Sequence, residues 1–221
     1  MTCAAQLGLL PEFDRTTDRR LDLDFWPTPP WLARAILRAP AAVPYNLGAC
    51  SVLDAGAGLG VLADEAEVLT TERGLALPRI TCVELHHDRC AALPERWERV
   101  EADFLEWGPA QLEAGRRWDV VLTNPPKKNG DRHVWIEWVT LCLALASRGG
   151  VVHALGHAGM LMTSERAAWW GEHKPQWYRP SPRRPSFSGD NGTDGRVWGW
   201  WQWAAAVPVE TTRMELLEVE W

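Results

Sequence analysis

The segment Thr123-Asn124-Pro125-Pro126 closes an apolar run, Trp118–Thr123 (WDVVLT). Each proline fixes its own φ and lacks an N–H, so nearby carbonyl oxygens have fewer local donors. The Asn124 side-chain oxygen and the Pro125 carbonyl are then placed to accept both hydrogens of an exocyclic NH2. Such bonds draw the amino nitrogen towards tetrahedral geometry and expose its lone pair to an electrophile. Placement and electrostatics suffice for chemistry of this kind, without a strong base.

A second constellation, Asp54-Ala55-Gly56-Ala57-Gly58-Leu59-Gly60, follows the short apolar run Ser51–Asp54 and opens a helical pattern. Glycines let a backbone turn sharply and approach a ligand closely, and strand–loop–helix is the context a cofactor loop requires. A dinucleotide loop is the nearest alternative. The acid directly before the glycines favours a cationic nucleoside without pyrophosphate, S-adenosylmethionine. Glu84 ends the next apolar run, where a carboxylate can accept ribose hydroxyls. Asp103 is suited to an adenine amino group, with Phe104 covering the ring.

These groups need a scaffold that brings strand ends together. Apolar runs Ser51–Asp54, Ile80–Glu84, Trp118–Thr123 and Val151–Leu155 read as buried strands, with Val100–Phe104 as a further short one. Helical patterns fall at Trp31–Leu37, opened by Pro30, at Gly60–Arg73, at His87–Trp97, at Val134–Ala146 before Gly149-Gly150, and at Ser164–Glu172 with Ser164 as its cap. Ala41–Cys50 and the Pro-, Gly- and Ser-rich 175–195 read as loops. The Trp-rich 197–205 reads as a strand, and 215–221 as a last edge strand. Alternating strands and helices predict an α/β fold with a mostly parallel sheet, and ligands at the carboxyl ends of its strands. One domain is expected over 1–221, with 1–24 as a lead-in segment.

The chain of 221 residues carries a net charge of -6, with 15 Trp against 2 Tyr and 4 Phe. That charge opposes global attraction to phosphate, so any nucleic-acid surface has to be local. Lys127, Lys128 and Arg132 form one basic group, and Lys174, Arg179, Arg183 and Arg184 another. Trp198, Trp200 and Trp201 are expected to fill the core or an edge face. The cysteines Cys3, Cys50, Cys82, Cys90 and Cys142 are scattered without a CxxC pair, which fits a reducing cytoplasm and gives no zinc or disulfide framework. No signal peptide or membrane span is read. His153 and His157 lie four apart but in a strand pattern interrupted by Gly156, so no metal centre is expected.

Asp54–Gly60, Glu84, Asp103 and Asn124-Pro125-Pro126 resemble, in order and context, the class I S-adenosylmethionine-dependent methyltransferases, whose fold is Rossmann-like. Asn-Pro-Pro is similar to the catalytic motif of the amino-methyltransferases that act on N6 of adenine in DNA. Phe25-Trp26-Pro27-Thr28-Pro29 looks like their N-terminal cofactor motif. Arg184-Pro185-Ser186-Phe187, followed by the Trp-rich strand, is similar to the ends of small phage-type enzymes. The resemblance spans roughly 25–203, and the motif order is that of the γ arrangement. It implies S-adenosylmethionine as cofactor, framed by Trp26, Pro27, Thr28, Asp54, Ala55, Gly56, Gly58, Glu84, Asp103, Phe104 and Asn124. Catalysis is implied for Asn124, Pro125, Pro126 and Lys127, and substrate contact for Lys127, Lys128, Trp135, Arg184 and Phe187.

Two departures stand out. Lysine occupies 127, where the family usually carries an aromatic ring that stacks on the flipped base; Trp135 is the expected substitute. About a hundred residues follow the motif, leaving no separate target-recognition domain, so short loops or a protein partner are expected to give specificity. Three alternatives stay open. The acceptor could be an RNA base (adenine N6 or guanine N2) or a protein glutamine amide. The chain could also be a catalytically weak subunit that binds cofactor or DNA.

Overall fold

Strand-forming residues cluster in short apolar runs, and each run emerges as a strand of one eight-stranded sheet. The computed structural model describes residues 25–126, 128–129, 132–161, 164–187, 195–207 and 209–219. The lead-in 1–24 and Lys127 lie outside the described residues. In chain order the elements begin with α1 (Pro30–Arg38), β1 (Ser51–Ala55), α2 (Val61–Glu72), β2 (Arg79–Glu84), α3 (His87–Ala92), β3 (Glu98–Glu101) and α4 (Phe104–Glu113). They continue with β4 (Trp118–Thr123), a small hairpin β5 (Lys128–Asn129) and β6 (Arg132–His133), α5 (Trp135–Leu145), β7 (Ala146–His157), α6 (Ser164–Glu172), β8 (Trp177–Pro180), β9 (Trp198–Ala204) and β10 (Arg213–Met214).

The sheet order is β10-β8-β9-β7-β4-β1-β2-β3. β3, β2, β1, β4 and β7 are parallel neighbours, and β9 runs antiparallel to both β7 and β8. Helices α1 and α2 cover one face of the sheet, packing on Val52, Ile80, Val120 and Leu122. Helix α5 covers the other, with Phe104 at the start of α4 and Trp170 of α6, against Leu53, Val121 and Val152. Two-sided burial is why the central strands are continuous apolar runs and not alternating ones.

Several boundaries differ from the sequence reading. The third strand is Glu98–Glu101, so Asp103 and Phe104 do not belong to it. Asp103 instead caps α4, its side chain accepting from the Leu105 N–H at 2.8 Å. The sequence reading named no element between Phe104 and Trp118; this helix spans most of that stretch, with Pro109 inside it. Helix α3 ends at Ala92, short of Trp97. β7 extends beyond Val151–Leu155 in both directions, and a register shift against β4 absorbs the extra residues near its start. β8 interrupts the predicted 175–195 loop, pairing with β9 through residues Trp177–Pro180. The last edge strand is short, Arg213–Met214, and 215–219 carry no strand.

The turn after α1 is held by three buried side chains from adjacent strands. Arg179 Nη2 (β8) donates to the Pro40 carbonyl at 2.7 Å, Gln202 Nε2 (β9) to Ala41 at 2.8 Å, and His153 Nε2 (β7) to Ala42 at 2.7 Å. A carbonyl only accepts, so His153 carries its hydrogen on Nε2. Burial pushes the His153 imidazole down from 6.5 to about 4, which keeps it neutral. Trp200 Nε1 adds a bond to the Leu32 carbonyl at 3.3 Å. Together these fix α1, and with it the segment that precedes it, against the sheet.

Candidate active site

Strand order reverses at the β1–β4 boundary, since β2 lies on the far side of β1 and β7 on the far side of β4. In open α/β sheets a crevice forms outside the carboxyl ends at that point. The glycine loop leaves β1 there, and Asn124-Pro125-Pro126 leaves β4 beside it. Thr123 links the two: its hydroxyl donates to the Ala55 carbonyl at 2.7 Å and accepts from Trp138 Nε1 at 2.9 Å.

The loop is fastened to the next strand, with Gly56 and Ala57 donating to the Val83 carbonyl at 3.0 and 2.9 Å. Gly58 has φ +56, a left-handed conformation, and an added Cβ would lie 2.9 Å from the Phe25 ring. Both space and backbone therefore demand glycine there. The Asp54 side chain reaches under the loop to accept from the Ala63 N–H at 3.3 Å. Gly60, the residue that precedes α2, has no side chain to cap it, so Asp54 performs that service from the strand. Its Oδ1 is buried without a hydrogen-bond partner, and burial, augmented by the Glu84 charge, lifts its carboxyl from 3.8 to about 7.

Glu84 is buried at the end of β2. Its Oε2 accepts from the Gly58 N–H at 2.8 Å, and its Oε1 from the His86 N–H and Arg89 Nε, both at 2.9 Å. The carboxylate thus ties the glycine loop to the start of α3.

Asn124 is anchored through its amide nitrogen. Nδ2 donates to the Trp26 carbonyl at 2.7 Å and to the Thr28 hydroxyl at 3.2 Å. Thr28 is buried, whereas Trp26 and Pro27 are half-buried. Because both amide hydrogens are committed inward, Oδ1 is the acceptor that Asn124 keeps for a ligand. Pro125 is buried and Pro126 half-buried beyond it.

Other expected site residues sit differently. Trp135 is only 3% exposed, donates to the Leu155 carbonyl at 3.1 Å and packs on Trp169 and Trp170. It is a core residue and offers no face to a flipped base. Phe104 is buried against Trp138, with ring centres 4.7 Å apart, so it backs the glycine loop through Trp138 and covers no ligand ring. Phe187 is buried edge-on between Trp26 (5.7 Å) and Trp198 (4.8 Å), supporting the N-terminal motif from behind. Arg184 is exposed beyond the β8 end, next to Arg183, whose guanidinium lies 4.9 Å from the Trp31 ring centre. The Lys128 backbone lies in β5, just past the Asn124 loop.

Arg89 and Trp138 were not anticipated as site residues. Arg89 had a signal, five residues after Glu84 at the start of a helix pattern. Trp138 had none, because one tryptophan in an apolar helix looks like any other.

No protein-family model matches the sequence, and no curated protein does. Solved structures match the fold. One, assigned as a class I S-adenosylmethionine-dependent methyltransferase from Listeria monocytogenes, shares 13% identity at a TM-score of 0.62, over 88% of this chain and 67% of that one. A type I restriction-modification methyltransferase subunit from Streptococcus thermophilus shares 17% at 0.62, over 83% of this chain but 45% of its own. A protein assigned as an RNA methyltransferase from Pyrococcus horikoshii shares 16% at 0.55, over 80% and 81%. The chain has the Rossmann-like fold of class I methyltransferases, as its motif order implied.

Proposed function

We propose that the chain transfers a methyl group from S-adenosylmethionine to an exocyclic amino group of a nucleic-acid base, namely N6 of adenine in DNA. The observation that carries this reading is the orientation of Asn124. With Nδ2 bonded to Trp26 and Thr28, Oδ1 and the Pro125 carbonyl are left to accept the two N–H groups of an amine.

The residues at the β1 and β2 ends fit the cofactor. Gly56 and Gly58 let the loop pack without side chains, since an added Cβ would lie 3.1 Å from Trp138 and 2.9 Å from Phe25. Glu84, whose Oε2 accepts from Gly58 and faces the loop, is the proposed partner of a ribose hydroxyl. When bound, S-adenosylmethionine supplies a methyl group activated by its sulfonium. The chain itself positions the amine: Asn124 and Pro125 polarise it, and the prolines hold the loop rigid. Pre-paid orientation of this kind accounts for much of a transfer rate.

Adenine and DNA as acceptors rest on the likeness of Asn-Pro-Pro to the adenine-N6 enzymes. Lys127, Lys128 and Arg184 are the proposed phosphate contacts. The structural relatives include proteins named for restriction-modification and for RNA methylation, both nucleic-acid systems. Incubation with labelled S-adenosylmethionine and, in turn, duplex DNA, single-stranded DNA, RNA and protein extract tests the reading. N6-methyladenine in DNA, identified by mass spectrometry, is the expected product. Label in RNA or protein alone overturns the DNA assignment, and label in none overturns the enzyme.

A further inference from the structure

Glu84 is unusually occupied for a residue that should receive a ligand. Oε1 accepts from the His86 N–H and from Arg89 Nε, and Arg89 Nη2 lies 2.9 Å from the same oxygen. Oε2 accepts from the Gly58 N–H. A carboxylate oxygen offers about two in-plane lone pairs. Oε1 is therefore saturated, while Oε2 retains one acceptor position.

Arg89 is held where it is. It is 8% exposed on α3, and its guanidinium carbon lies 4.4 Å from the Phe25 ring centre. Phe25 in turn rests against Gly58. Phe25, Arg89 and Glu84 form a stack alongside the glycine loop, with the guanidinium pinned between a π-face and a carboxylate.

Resting on the cofactor reading above, we infer that Arg89 determines how the ribose is recognised. By saturating Oε1 it turns Glu84 into an acceptor for one hydroxyl, so this chain holds adenosine through a single ribose hydroxyl. A carboxylate without such a partner takes a vicinal diol with one hydrogen on each oxygen. Here the second hydroxyl meets an oxygen whose lone pairs are already used. The arginine also neutralises the buried carboxylate, so Glu84 adds a directional contact and little net charge.

Calorimetric titration separates the possibilities without catalysis, using S-adenosylhomocysteine and its 2′-deoxy and 3′-deoxy forms. In the wild type, removing one hydroxyl weakens binding by roughly tenfold to a hundredfold, and removing the other changes it by less than about threefold. In Arg89→Met, which keeps the apolar stem under Phe25, both deoxy forms bind more weakly than the parent. Equal penalties in the wild type overturn the inference and leave the cofactor reading standing. Failure of the wild type to bind S-adenosylhomocysteine or S-adenosylmethionine overturns the cofactor reading and this inference together. The wild-type comparison decides even if Arg89→Met does not fold, which thermal denaturation reports.

Discussion

Asn124 Nδ2 donates to the Trp26 carbonyl at 2.7 Å across 98 residues of sequence. One bond thus joins the loop that would hold the amine to the segment that would cover the cofactor. It also selects the rotamer of the Asn124 amide, because only one flip places nitrogen against two acceptors.

That bond sets the expectation for Asn124→Ala. Loss of an oriented polar contact in the transition state should lower turnover by on the order of 10²- to 10³-fold. Cofactor affinity should change by less than about tenfold, since Phe25, Gly58 and Glu84 remain. Single-turnover rates and calorimetry measure the two separately. Equal losses in both would show that Asn124 serves the cofactor segment alone.

Gly58→Ala should cost about 1–2 kcal/mol of stability from its left-handed backbone. It should also weaken cofactor binding by pushing Phe25 aside. The double variant with Phe25→Ala removes the collision but not the backbone strain. A double-mutant cycle in denaturant should therefore give a favourable coupling between the two positions. Simple additivity would mean that the ring does not constrain the loop.

Two buried groups give stability opposite dependences on pH. The Asp54 carboxyl is raised by burial to about 7, so between about 4 and 7 the folded chain holds a proton that the unfolded chain has lost. Its contribution is complete at low pH and disappears as pH rises through 7. The His153 imidazole is lowered by burial to about 4, so the unfolded chain takes up the proton first. Its contribution is complete above 6.5 and disappears as pH falls towards 4. Urea midpoints across pH 4.5–8 should show Asp54→Asn gaining on the wild type as pH rises, by up to a few kcal/mol. His153→Gln should gain on the wild type as pH falls. A pH-independent difference for either variant would remove the assignment.

Trp135 offers a direct check on the acceptor side of the crevice. Trp135→Ala should destabilise the fold by about 3–5 kcal/mol, as loss of a large buried ring does. Trp135→Phe should keep most of the packing and lose the bond to the Leu155 carbonyl, at about 1–2 kcal/mol. DNA affinity of the folded Trp135→Phe protein should match the wild type in a polarisation titration. A selective loss of affinity at full stability would return this ring to the base pocket.

The parallel core was legible because strands buried on both faces are written as short apolar runs, each ending in a polar group. Asp54, Glu84 and Asn124 all lie at those ends in the fold. What escaped was long-range. Asp54 looked like a ligand for a cation, yet its visible bond is to Ala63, because a helix that begins at glycine borrows its cap from elsewhere. Phe104 was expected to cover the adenine ring and Trp135 to stack on a base, but which aromatic ring lies under another depends on how α4, α5 and α6 pack. The α4 helix, which contains Gly108-Pro109, is held by the cap at Asp103 and by packing on α5, and that packing is not local to its own sequence. Arg89 could be placed beside Glu84 only once the β2–α3 turn had a shape.

The bonds from His153, Arg179 and Gln202 to Ala42, Pro40 and Ala41 span 111, 139 and 161 residues. Contacts of such separation form late, after the closure entropy of long loops has been met. Trp26 and Thr28 lie just ahead of α1, so the crevice lip settles only when β8 and β9 have joined the sheet. During synthesis, the glycine loop and Asn124 leave the ribosome well before that happens. A growing chain therefore carries these residues before the crevice lip that joins them exists, and the lip forms only when the last long strand is in place.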